Sequence, residues 1–145
     1  MINQDLQIKQ ILEQSKTIAI LGLSPSEDKP SHKVAKYLLE KGYRIIPIYP
    51  KGGEILGMKV YRSLQEVFCD ESIRQSGGVD ILDIFRKSEA LLGIIQEISG
   101  LENKPKCVWA QLGIQRQGAK EELEAKGIMY FENLCIKLEH QRLCK

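Results

Sequence analysis

The sequence predicts an α/β fold: a doubly wound parallel sheet of about five strands, ordered 3-2-1-4-5, with helices on both faces. Three observations carry that expectation. Apolar runs of strand length alternate along the chain with segments of helical period. The first run, at 17–23, is apolar on both faces, as a central parallel strand covered by helices must be. One glycine, Gly22, ends that run, and a polar loop leads into an amphipathic helix that stops at Gly42. Right-handed crossovers then gather the strands into one sheet.

Each element has its own signal. Ile8, Ile11 and Leu12 fall at i, i+3 and i+4, which predicts a helix over 3–15. After the strand at 17–23, a helix over 31–41 turns Val34, Ala35 and Leu38 inward and Lys33, Lys36 and Glu40 to water. Pro30 or Ser31 suits its start, since proline presets the first-turn φ and serine can cap open amides. A strand over 43–49 breaks at Pro50. Residues 51–58 read as a loop, 59–61 as a short strand, and Ser63 as the start of a short helix carrying Leu64 and Val67. Another loop spans 69–78 before the strand at 79–85. Ser88 is expected to cap a helix over 89–99 with Leu91, Leu92, Ile95 and Ile98 inward. A strand over 106–112, a helix over 116–126 ended by Gly127, a strand over 128–131 and a helix over 135–143 complete the chain.

Composition bounds the function. With 145 residues, 43% hydrophobic and 28% charged, residues 1–145 are expected to form one domain with a substantial core. The net charge of +2 is spread among nearly as many carboxylates as cations, so no nucleic-acid partner is expected. No apolar run reaches about 18 residues, and Met1–Asp5 lacks the character of a secretory signal. Cys69, Cys107, Cys135 and Cys144 show no paired spacing. These features predict a reduced cytoplasmic protein without a membrane partner.

In doubly wound sheets, ligands bind at the carboxyl ends of the strands. Loop 22–31, the Tyr49-Pro50-Lys51 corner, Phe85-Arg86 and Gln111–Gly113 all lie on that edge. Gly22 permits a tight exit and close approach of a ligand. Beside it, Ser24 and Ser31 offer hydroxyls, Lys29 and Lys33 offer charge, and the helix start offers free amides for phosphate. Those serines and Gly22 could equally shape the loop itself, and Lys33 could be a solvated helix lysine. The second and third glycines of the dinucleotide fingerprint are absent, and no acid follows the second strand, which argues against NAD. Lys51 stands there instead, suited to a phosphate on the ribose. Arg86 can grip phosphate bidentately or pair with Glu89. Gln111 can bond a ligand or its own loop, and Phe85 reads more as core than as a stacking platform. His32 lies near the helix start with no nucleophile pattern beside it, and no metal-ligand spacing occurs.

These residues bring a family into view. Gly22-Leu23-Ser24 with Ser31, Gly42-Tyr43-Arg44 with Pro47-Ile48-Tyr49-Pro50, and Val60-Tyr61-Arg62-Ser63-Leu64 are its first part. Asp83-Ile84-Phe85-Arg86, Trp109-Ala110-Gln111-Leu112-Gly113-Ile114, and Cys135 with Glu139-His140 continue it. In this order the chain resembles the stand-alone CoA-binding proteins, whose domain is similar to the CoA-binding domain of the succinyl-CoA synthetase α subunit. The resemblance implies a Rossmann-like domain holding coenzyme A across the strand ends, with the diphosphate near the first loop and the 3′-phosphate a partner for Lys51. Together with the strand-end reading, it makes the expected ligand contacts Gly22, Leu23, Ser24, Lys29, Ser31, His32, Tyr49, Pro50, Lys51, Phe85, Arg86, Gln111 and Gly113. It also implies no catalysis, since the synthetase's phosphorylated histidine belongs to a further domain. The chain departs from the family in having Tyr49 where Asn is common before the proline, and Leu134 where Arg is common before the cysteine. The expectation is a non-catalytic CoA or acyl-CoA binding protein. The alternatives are an NADP-linked or other nucleotide-using enzyme and an interaction domain without ligand.

Overall fold

The computed structural model describes residues 3–144. Helix α1 (Gln4–Gln14) starts where the Asn3 side chain accepts from the Asp5 amide, and it buries Ile8 and Leu12, one turn apart. Strand β1 (Thr17–Leu21) follows, with all five residues buried. Next come α2 (Pro30–Glu40), β2 (Arg44–Ile48), a small hairpin of β3 (Glu54–Ile55) and β4 (Met58–Lys59), and short helices α3 (Leu64–Phe68) and α4 (Glu71–Gln75). The chain continues through β5 (Ile81–Ile84), α5 (Leu91–Ser99), β6 (Cys107–Ala110), α6 (Ala119–Glu124), β7 (Met129–Phe131) and α7 (Ile136–Leu143).

The main sheet is fully parallel and runs β2-β1-β5-β6-β7. Helices α1, α2 and α7 pack Leu12, Val34, Leu38 and Ile136 over one face, on Ile18, Ile20 and Trp109. Helices α3 to α6 pack Val67, Ile73, Ile95 and Leu123 over the other, on Ala19, Leu82 and Val108. The doubly wound, Rossmann-like architecture is therefore present.

Its strand order corrects the expectation of 3-2-1-4-5. Numbered along the chain, the five strands run 2-1-3-4-5. The segment beyond β2 adds only one parallel bridge to the outer edge, Ile48 with Tyr61. The chain then crosses back over β1 and lays β5 on its far side. The topological switch point consequently falls between β1 and β5.

Several local expectations also change. Ser31 does not cap α2: Lys29 precedes the helix without a side-chain bond, Pro30 opens its first turn, and Ser31 Oγ accepts from the Ser24 amide at 3.0 Å. Part of the 51–58 loop is the β3–β4 hairpin, turning at Leu56 and Gly57, whose φ values of 53° and 78° match a type I′ turn. The 69–78 segment contains α4, because Asp70 Oδ1 accepts from the Ile73 amide at 3.1 Å. Ser88 opens a 3-10 turn, not α5 itself, and its Oγ accepts from the Gln115 amide at 3.0 Å. Leu92 is exposed, whereas Leu91, Ile95 and Ile98 are buried.

Two aspartates of β5 and its approach lie in opposite environments. Asp80 closes the amino edge of the sheet by accepting from the Lys16 and Thr17 amides at 2.8 and 3.0 Å and pairing with Lys106 at 2.9 Å. Burial works to raise its pKa, but those amides and the ammonium outweigh it and hold the carboxyl below its ordinary range. Asp83 is fully buried, and neither carboxylate oxygen has a partner among the described residues. Burial alone pushes its pKa well above the ordinary value. Among the described residues, no helix is long and apolar enough to cross a membrane.

Candidate functional site

The site begins where β1 and β5 part. Gly22 has φ of 90°, and its amide donates to Ile48 O at 2.9 Å, while the Phe85 amide donates to Leu21 O at 2.8 Å. A Cβ at position 22 would stand 2.5 Å from the Phe85 carbonyl oxygen and 3.3 Å from Arg86 Cδ. Only glycine allows the two strand ends to come this close.

The following loop organises itself. Ser31 Oγ accepts from the Ser24 amide, Ser24 Oγ accepts from the Ser26 amide at 3.1 Å, and His32 Nδ1–H donates to the Ser24 carbonyl at 2.9 Å. The hydroxyl lone pairs and the buried imidazole thus hold the loop's shape at the start of α2.

Two cavities open on this edge. One of about 300 Å³ is lined by Gly22, Tyr49, Pro50, Lys51, Phe85 and Arg86. The other, about 820 Å³, takes in Phe85 and Arg86 again and extends past Val34 to Gln111, Gly113, Cys135 and Leu138. Shared walls make them one crevice across the mouths of β2, β1, β5 and β6. With neighbouring strands about 4.8 Å apart, the two ends of that path stand roughly 14 Å from each other.

The crevice changes character along its length. Lys51 and Arg86 are exposed at the first end and middle, and neither forms an ion pair among the described residues; Arg86 leaves Glu89 alone. Toward the far end, Leu112 and Leu138 stand 66% and 53% exposed at the rim, beside Val34 and Ile114. That combination suits an elongated ligand with an anionic head and a less polar tail.

The far wall is built from two stapled loops. The Gly113 amide donates to Asn133 Oδ1 at 2.7 Å, and the Asn133 amide to Ile114 O at 3.1 Å. Asn133 takes the left-handed φ of 58° that asparagine tolerates. Trp109 Nε1 donates to Leu134 O at 2.8 Å, and the Ile136 amide donates to Gln111 Oε1 at 3.1 Å.

Of the residues expected from the sequence, Gly22, Tyr49, Pro50, Lys51, Phe85, Arg86, Gln111 and Gly113 line the crevice. Leu23 is fully buried in the core, so it offers a ligand only its backbone. Ser24, Lys29, Ser31 and His32 belong to the adjoining loop and helix start, and are not on the cavity walls. Val34, Lys87, Ser88, Cys135 and Leu138 join the walls without having been singled out as contacts. Their signal was positional: each lies just past a strand or on the first turns of α2 or α7. Among the described residues, no group of three His, Cys, Asp or Glu is placed to hold a metal ion. His140 accompanies a different cavity, with Lys16, Lys41 and Tyr43, and is bonded to the Tyr37 hydroxyl at 2.8 Å.

The crevice thus lies at the switch point of a doubly wound sheet, the place where such folds bind their ligands. The family described as CoA binding domain matches residues 16–141, and the chain belongs to that family. It is 40% identical over 134 residues to the uncharacterized protein YneT of Bacillus subtilis, covering 92% of each chain. A shorter match, 37% identical over 70 residues, is to an ADP-forming acetate–CoA ligase of Methanocaldococcus jannaschii; it spans 48% of this chain and 10% of the ligase. Among solved structures, the cell-free ID.343 protein of Thermus thermophilus superposes with a TM-score of 0.83 at 36% identity, over 98% of this chain and 99% of that one. A hypothetical protein from Pyrococcus horikoshii OT3 superposes with a TM-score of 0.81 at 31% identity, over 97% of this chain and 92% of that one.

Proposed function

We propose that the whole chain acts as a single binding domain for coenzyme A or an acyl-CoA in a reduced, cytoplasmic setting, without catalysis of its own. The observation that carries this reading is the continuous crevice, cationic at Lys51 and Arg86 and apolar at Leu112 and Leu138, in a member of the CoA binding domain family. Coenzyme A has the matching order of groups. Its 3′-phosphate meets Lys51, its diphosphate meets Arg86 and the loop after Gly22, and its pantetheine arm runs toward Gln111. Gly22, which lines the cavity, lets the ends of β1 and β5 close up where the diphosphate would lie.

Thermal unfolding with CoA, dephospho-CoA and NADPH tests the reading. A ligand that binds only the folded state adds about 2.7 kcal/mol at a hundred times its dissociation constant. CoA is expected to raise the melting temperature most and dephospho-CoA less. A shift with NADPH and none with CoA would transfer the site to a nicotinamide cofactor. An equal shift with dephospho-CoA would remove the role given to Lys51.

A further inference from the structure

The larger cavity contains one reactive side chain for which CoA binding alone has no use, the thiol of Cys135. We propose that Cys135 exchanges with CoA disulfide to form a mixed disulfide with coenzyme A, so that the domain holds that ligand covalently under oxidising conditions. This inference rests on the CoA-binding reading above.

Placement comes first. Cys135 is a free cysteine, partly exposed, immediately before α7. Its neighbours on both sides are fixed, Leu134 by the Trp109 indole and Ile136 by Gln111 Oε1. The other three cysteines are excluded by position. Cys107 is fully buried in the sheet, and Cys69 and Cys144 line neither cavity of the crevice.

A second observation on the same wall points to a ligand. Gln111 is only 4% exposed, and its Oε1 is engaged by the Ile136 amide. Its Nε2 has no partner among the described residues, on a side chain that lines the cavity. That donor is not buried beyond solvent's reach, so it stays open on the cavity side to an acceptor from a ligand. An amide carbonyl of a pantetheine arm is such an acceptor, and Cys135 lines the same cavity, one residue before the Ile136 amide that Gln111 holds.

The chemistry is thiol–disulfide exchange. The Cys135 thiolate, its proton released to solvent, attacks one sulfur of the symmetric disulfide of CoA. One S–S bond breaks and another forms, joining Cys135 to one CoA. The second CoA leaves as a thiolate and takes up a proton, so one thiol is oxidised and one sulfur reduced. Acyl transfer to Cys135 fits less well, because neither histidine lines this cavity to act as a base. Exchange requires only a thiol held in line with the ligand's sulfur.

The test is to incubate the protein with CoA disulfide, and separately with glutathione disulfide, and to follow intact mass without reductant. The expected result is a single CoA adduct, released by dithiothreitol, mapped to Cys135 and absent in Cys135→Ser. It should form at least about tenfold faster than the glutathione adduct, since binding raises the local concentration of the reacting sulfur. An adduct on Cys69 or Cys144, equal rates with both disulfides, or no adduct would overturn the proposal. Thermal shift with reduced CoA on the wild-type protein separates the two failures. A shift without an adduct rejects only the disulfide, whereas no shift rejects the binding reading itself.

Discussion

Alanine at position 22 would press its Cβ to within 2.5 Å of the Phe85 carbonyl while holding φ near 90°. The left-handed backbone costs about 1–2 kcal/mol and the overpacking about 1–3 kcal/mol. Urea denaturation should therefore find Gly22→Ala less stable by about 2–5 kcal/mol; an unchanged midpoint would show that β1 and β5 need not approach so closely. Asp83 makes the opposite kind of prediction. Its raised pKa means the folded state keeps a proton that the unfolded chain releases above the ordinary value of 3.8. Stability from this residue is therefore fully present below that value and is lost as pH rises toward the folded pKa. Asp83→Asn removes the loss, so its stability advantage over wild type should widen from pH 4 upward. A variant less stable than wild type at pH 8 would contradict this. Asp80 titrates with the reverse sign: its lowered pKa contributes stability above 3.8 that disappears as pH falls through the folded value. The sequence places the two aspartates on opposite faces by simple alternation. It cannot show that one finds two amides and a lysine while the other finds none, since those partners come from 63 or more residues away or from a neighbouring strand.

At the scale of elements, the far wall depends on one asparagine. Asn133→Ala removes the bond to the Gly113 amide and places a less tolerant residue at a φ of 58°. A loss of about 1–3 kcal/mol is expected, together with faster amide exchange at Gly113; protection unchanged at Gly113 would show that the staple is dispensable. The long elements were legible because period and boundary agreed, as in α2, where Pro30 and Gly42 frame Val34, Ala35 and Leu38. The short ones were hidden. Helix α4 spans five residues, too few for a period to emerge, and its clearest mark is the Asp70 cap. The β3–β4 hairpin turns on Leu56, a residue whose side chain disfavours positive φ, so no turn signature announced it. Its partly buried contact with the core accompanies the unfavourable backbone.

For the molecule as a whole, the strand order decides where the crevice lies. Local pattern specifies each strand but not which side of β1 receives β5, so the order was the least legible feature of the fold. The edge that holds the site was legible regardless, because both orders put the β1 exit beside a switch point. Eight of the thirteen expected contacts line the crevice for that reason, and the other five stand in the loop and helix start beside it. If coenzyme A lies in this crevice with its phosphates on Arg86, calorimetric titration of CoA into the wild-type protein and into Arg86→Ala will show it. Saturable binding near one ligand per chain is expected, weakened at least about tenfold in the variant, as loss of a charge-assisted hydrogen bond implies. A folded wild-type protein that shows no saturable binding of CoA, or a variant that binds as tightly, would contradict it.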